Sequence, residues 1–298
     1  MPESALFKSK NGEIKYNESY EATLRQWPVA YETMYIETEF GKTHIITAGQ
    51  KNSESLILLH CQGFSSTMWL YNISELSRHY RVYAIDTLGE PGRSIPNRKK
   101  FSSSDYAEWL KEVINKLSIE DAGFIGYSYG GWLALNFALS FPDKVSKLVL
   151  IDPAAAITPI KPQFIFRVLA ALILPASFII KSFIKWLSGS STVLDEKIFK
   201  QFSLGMRYFK WPKGFPLTVF TDTELENLKN PLLLLMGEKD PIYKNGVEFV
   251  KTRIEKLLPD VSVGIIPDAG HGLPIEKPEV VNNLIETFLE KLWSPNRG

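Results

Sequence analysis

The chain has 298 residues, 45% hydrophobic, 12% aromatic and 22% charged, with a net charge of +1. This is ordinary globular composition, long enough for one large α/β domain with an insertion or for two domains. The near-neutral balance gives no whole-chain field that argues for nucleic acid, and the single cysteine, Cys61, excludes an intrachain disulfide and fits a reducing compartment.

The first ten residues lack the apolar core and small-residue cleavage site of a signal peptide, so a cytoplasmic location is expected. Residues 1–30 read as a polar, partly helical lead-in, with Tyr16, Tyr20, Leu24 and Trp27 at roughly helical spacing and Pro28 as its stop. Residues 35–47 alternate apolar and polar on both sides of Phe40-Gly41-Lys42, which predicts a β-hairpin.

Strands and helices then take turns. Strands are expected over 56–60, 80–86, 122–127 and 145–151, and helices over 68–78, 104–117 and 129–140, with Ser104 as an N-cap. The near-continuous apolar strands imply a mostly parallel sheet covered by helices on both faces.

The alternation breaks at Pro153. No strand signal follows until 231–236, after which come a helix to about 258, a strand over 261–266 and a last helix over 278–292. The expected organisation is a lead-in over 1–30, a core of 31–153 and 223–298, and a helical cap inserted at 154–222. Within the insertion, 164–187 is strongly apolar. Arg167, Lys181 and Lys185 interrupt it, Pro175 breaks it, and its longest uncharged run, 168–180, is short of the about 20 residues of a membrane span.

The motif that carries chemistry is Gly126-Tyr127-Ser128-Tyr129-Gly130, between an apolar strand and a helix of small residues. A strand-to-helix turn this tight strains the serine backbone and exposes its hydroxyl at a helix N-terminus. Ser128 is therefore the expected nucleophile. A serine hydroxyl needs a base. Of four histidines, His44 lies in the hairpin, His79 sits among surface-type residues and His60 ends a strand. His271 lies in a loop after the last strand, flanked by Gly270 and Gly272, at the carboxyl edge of the sheet where a base is needed. The orienting acid should follow a strand and precede the histidine. Asp240 does so, with Glu238, Asp152 and Asp268 as rivals.

Acyl transfer also needs amides that point at a developing oxyanion. The amide of Tyr129 and that of Gln62, in the loop after strand 56–60, are the candidates. Cys61 reads as a packed loop thiol. No His/Cys/Asp grouping has metal-ligand spacing, and neither metal nor cofactor is expected.

These residues resemble the α/β-hydrolase superfamily over roughly 35–295. The 86–94 loop, Asp-Thr-Leu-Gly-Glu-Pro-Gly-Arg-Ser, is similar to that family's Asp-x-x-Gly-x-Gly-x-Ser loop with Pro91 intervening. Phe64-Ser65-Ser66-Thr67-Met68-Trp69, the lead-in 20–27, Thr43-His44 and the 220–225 segment look like bacterial carboxylesterases of the naproxen-esterase type. The resemblance implies the same roles for Ser128, Asp240, His271, Gln62 and Tyr129. It argues against dehalogenases and epoxide hydrolases, which use an aspartate nucleophile. One departure is Cys61, which follows His60 where the family has glycine.

The implied activity is hydrolysis of hydrophobic carboxylic esters through an acyl-serine. A C–C hydrolase, a lactonase or a slow-turnover ligand sensor would use the same residues. Residues 155–222 hold nine basic and three acidic side chains, a net +6 that leaves −5 for the rest. Their aromatics, among them Phe164, Phe183, Phe202 and Trp211, suit either plain packing on the core or an apolar substrate pocket. The expected partner is a small ester. Neither nucleic acid nor membrane contact is expected, although attraction of the basic insertion to anionic membranes is a third reading of its charge.

Overall fold

The computed structural model describes residues 6–189, 195–211 and 217–291. Helix α1 (Lys10–Leu24) leads into an antiparallel hairpin, β1 (Tyr31–Thr38) and β2 (Gly41–Ala48). Strands β3 (Ser55–Leu59), β4 (Arg81–Ile85), β6 (Ala122–Tyr127), β7 (Val145–Ile151), β8 (Leu232–Gly237) and β9 (Ser262–Ile266) form a parallel array, and the two-residue β5 (Ile95–Pro96) pairs with β2. The sheet order is β1-β2-β4-β3-β6-β7-β8-β9.

The apolar strands bury both faces. In β3, Ile57 and Leu59 enter one core and Leu56 and Leu58 the other; in β7, Leu148 and Leu150 face one core and Val149 and Ile151 the other. This two-residue alternation is what a pleated strand covered on both sides requires. Helices α3 (Ser103–Lys116), α4 (Tyr129–Ser140) and α9 (Val247–Leu257) supply side chains to the first core. Helices α1, α2 (Ile73–His79) and α11 (Pro278–Lys291) supply them to the second.

Several local boundaries differ from the sequence reading. The expected helix over 68–78 is a 3-10 turn, Ser66–Tyr71, followed by α2. The N-cap of α3 is Ser102, not Ser104. The Asp105 carboxylate accepts from the Ser102 amide and the Ser102 hydroxyl from the Asp105 amide, a reciprocal box that Ser104 has no partner to form. The short helices α8 (Asp222–Glu226) and α10 (Leu273–Glu276) had no periodic signal.

Among the described residues, four helices run between β7 and β8: α5 (Pro162–Ile173), α6 (Ser177–Leu187), α7 (Glu196–Tyr208) and α8, with Pro175 in the α5–α6 turn. The lead-in is tied to them. Phe7 bridges to Phe209, Lys8 donates its amide to Tyr208 O at 2.7 Å, and Lys210 donates to Leu6 O at 2.8 Å. Tyr16, Tyr20, Leu24 and Trp27 are all buried, as their spacing predicted.

The sheet and α4 meet at the turn around Ser128. A Cβ placed on Gly130 would lie 2.0 Å from the Leu59 carbonyl oxygen, inside backbone that cannot retreat. We therefore expect Gly130→Ala to lose the native packing of β3 on α4, a destabilisation of roughly 3 kcal/mol or more. Chemical denaturation of the purified variant checks this, and a midpoint equal to wild type would refute it.

Candidate active site

Ser128 closes β6 and opens α4 with φ 53° and ψ −111°, a left-handed conformation that L-residues rarely hold. The turn is held by main-chain bonds. The Ser128 amide donates to Ile151 O at 2.8 Å, and Ser128 O accepts from the Trp132 and Ala154 amides. The hydroxyl is thereby fixed above the carboxyl edge of the sheet.

Two side chains complete a line from it. The His271 Nε2 atom lies 2.8 Å from Ser128 Oγ, and Nδ1 donates to Asp240 Oδ2 at 2.8 Å. With a carboxylate on Nδ1, that nitrogen carries the proton and Nε2 is left to accept from the serine. Asp240 Oδ1 accepts from the Ile242 amide at 2.9 Å, which fixes the carboxylate in the turn after β8. All three residues are buried. Two of the three rival acids lie elsewhere. Asp268 pairs with Lys239 at the surface, and Glu238 is exposed and accepts from the Asp268 amide.

Asp152 is brought closer than its place in the sequence indicates. One ligand atom each of Asp152, Asp240 and His271 lie within 4.8 Å of one another. Asp152 Oδ1 accepts from the Gly237 amide at 2.9 Å. Burial, then the neighbouring Asp240 charge, push its carboxyl well above the usual range and so favour its protonated form.

The other histidines are accounted for. His60 donates from Nδ1 to Cys61 O at 2.8 Å and accepts at Nε2 from the Thr87 amide at 3.0 Å; burial lowers its pKa despite the opposing pull of Asp86. It is a neutral staple between two loops. His44 meets Asp86 at 3.1 Å, and His79 is exposed.

Ser128 and His271 sit at the base of a pocket whose walls are mostly apolar. The loop after β3 contributes Cys61, Gln62 and Phe64. Helix α5 contributes Phe164, Val168 and Leu172, α6 contributes Phe183 and Leu187, and α7 contributes Phe202 and Met206. Tyr129 also lines it, at the first position of α4. Gln62 and Tyr129 therefore flank the same space as the serine.

An alpha/beta hydrolase family model matches residues 56–284. The chain belongs to this family. It is 36% identical over 97% of its length, and 98% of the relative's, to carboxylesterase YbfK of Bacillus subtilis. It is 37% identical over 94% of its length, and 93% of the relative's, to an uncharacterized carboxylesterase, nap, of the same organism. Its structure is similar to that of a B. subtilis naproxen esterase, with a TM-score of 0.88, 35% identity and coverage of 95% of this chain and 99% of the other.

In this hydrolase Cys61 fits without strain. It is not among the described residues with positive φ; Gly63, two residues on, takes that conformation at φ +82°. The thiol is buried, 3.7 Å from Met68 Sδ, and burial followed by the Glu90 charge pushes its pKa well up. It is an inert packing group.

Two further carboxyls hold the loops of the site. Glu90, in the 86–94 loop, is buried and accepts from the Gly63 amide at 2.8 Å. Burial raises its pKa to about 8, and the Gly63 bond only partly opposes that. It is thus mainly neutral near pH 7, which keeps a negative charge away from the loop that carries Gln62. Glu276 clamps the histidine loop. Its Oε2 accepts from the Gly270 and Gly189 amides at 3.2 and 3.1 Å, and its Oε1 from Gly272 at 3.0 Å. No local motif marks either role, because each bond joins segments far apart in the fold or runs to a main-chain amide.

The raised Glu90 pKa gives a signed expectation. The folded chain keeps this proton up to about pH 8 and the unfolded chain releases it in the usual glutamate range. Stability from this group is full below the unfolded value and falls as pH rises through the folded one. Glu90→Gln, which keeps an acceptor for Gly63, is expected to flatten the decline in melting temperature between about pH 5 and about pH 9. Melts across that range check this, and an unchanged slope counts against it.

Proposed function

We propose that the chain is a carboxylic-ester hydrolase that acts through an acyl-serine intermediate, with Ser128 as nucleophile, His271 as general base and acid, and Asp240 as its orienting carboxylate. The observation that carries this reading is the unbroken line of two 2.8 Å contacts from Ser128 Oγ through the imidazole to Asp240, at the base of an apolar pocket. The carboxylesterase names of its relatives support it.

In the proposed mechanism an ester enters with its acyl chain among the apolar walls. Ser128 Oγ attacks the carbonyl carbon while His271 Nε2 takes the hydroxyl proton. The carbonyl oxygen becomes an oxyanion, and the amides of Gln62 and Tyr129 are the proposed donors to it. As the ester C–O bond breaks, the imidazolium gives its proton to the departing alkoxide. Water then repeats the sequence on the acyl-serine, with the same imidazole as base, and releases the acid. Asp240 orients the imidazole and stabilises the imidazolium throughout. The helices over 154–222 act as a cap that selects the acyl group and excludes water.

Labelling with a fluorophosphonate and steady turnover of a p-nitrophenyl ester panel test this reading. Ser128→Ala should lose labelling and at least roughly a thousand-fold in kcat, and His271→Ala a similar factor in kcat. An alanine variant at Ser128 that labels and turns over like wild type would exclude the mechanism. A product burst without sustained turnover would indicate a sensor instead.

The two acids near His271 are separable. Asp240→Asn removes the charge that pairs with the imidazolium and should cost roughly ten-thousand-fold in kcat. Asp152→Asn replaces a carboxyl whose ionisation burial and Asp240 disfavour, retains an acceptor for Gly237, and should cost less than about tenfold. The reverse order would reassign the acid to Asp152.

A further inference from the structure

Helix α5 is apolar on both sides. Its inner side gives Phe164, Val168 and Leu172 to the pocket. Its outer side, the following turn and the first turn of α6 expose Phe166 (71%), Ile173 (81%), Leu174 (57%) and Phe178 (72%), with Ile165 and Leu169 also exposed. Single exposed apolar residues are unremarkable, but a contiguous ridge of this kind marks an interaction surface.

The surrounding charge says what it meets. From Pro153 to 194 there are 42 residues without one Asp or Glu, and the cations Lys161, Arg167, Lys181 and Lys185 fall within them. Lys181 is one turn after Phe178 on α6 and is exposed. Arg207 of α7 reaches the tip of the ridge, where it donates to Pro175 O at 3.0 Å, and Lys8 Nζ sits beside it on Arg207 O at 3.0 Å. The apolar tip is thus bordered by cations. A second copy of the chain docked by a two-fold axis would set this basic surface against itself. An anionic lipid surface is complementary on both counts, with acyl chains for the ridge and headgroup charge for its border.

We propose that the outer face of α5 and the α5–α6 turn dock the protein on an anionic lipid bilayer. No described helix is long and apolar enough to cross a membrane, so this is attachment at the surface. It revises the expectation of no membrane contact, because the pattern of exposure was not visible in the sequence. Docking deepens the ester reading, since the pocket wall and the docked face are opposite sides of one helix and bilayer-dissolved esters would arrive there. Binding itself does not depend on that chemistry.

Vesicle co-sedimentation of the full chain as Ser128→Ala separates the two readings, because no turnover is involved. The protein should sediment with vesicles of about one third phosphatidylglycerol, at least roughly fivefold more than with pure phosphatidylcholine, and release on added salt. The variant Phe166→Ser/Ile173→Ser/Phe178→Ser should bind at least roughly tenfold more weakly. In a serine-128 background it should hydrolyse a water-soluble p-nitrophenyl acetate like wild type, which shows that it is folded. Lys181→Glu/Arg207→Glu should lose several-fold in vesicle binding with the ridge intact. The proposal fails if wild type ignores the anionic vesicles, binds neutral ones as well, or is matched by the ridge variant. It also fails if sedimentation velocity finds a dimer that the ridge variant dissolves, since a second copy would then own the face.

Discussion

The close approach of α4 to the ends of β3 and β6 governs this molecule. Where Gly130 meets the Leu59 carbonyl there is no room for a single carbon atom, and the same approach sets Ser128 at φ 53°. A helix that starts so abruptly places its first amides and the serine hydroxyl together at one edge of the sheet. The loops after β3, β8 and β9 end at that edge as well, because parallel strands all deliver their carboxyl ends to one side. The backbone strain at one residue is held by the packing of two whole cores.

Around that point, buried polar groups do what apolar packing cannot: they fix direction. Asp86 accepts from the Ser66 and Arg93 amides, from Tyr20 Oη and from His44, and so joins the loop after β3, the 86–94 loop, the hairpin and α1. Burial works against its charge, but these donors hold its pKa below the usual range. Gln201 of α7 extends the web with bonds to Ser65, Thr67 and Tyr16. Each such group is satisfied by partners on different elements, so the loops have one arrangement rather than several.

What could be read from the sequence follows the range of each interaction. The strands were legible because β8 is a wholly apolar run and β7 ends in four apolar residues, and the serine because its turn is written in five consecutive residues. His271 and Asp240 could be named from chain order, since each follows a strand directly. Glu90 and Glu276 act through bonds to main-chain amides, and nothing local distinguishes them from surface carboxylates; Asp152 follows β7 as Asp240 follows β8, and only the fold shows which of the two meets His271. The N-cap of α3 was misplaced by two residues because Asp105, not the serine alone, decides which hydroxyl caps. The charge of 155–222 was plain in the sequence, but whether its apolar side chains faced inward or outward was not.

The bond from the His271 amide to Leu187 O, 2.8 Å long, links the imidazole loop to the last turn of α6. Glu276 doubles the link through Gly189. The end of α6 thus lines the pocket, through Leu187, and also supports the loop that carries His271, so the width of the pocket and the placement of the imidazole rest on one segment.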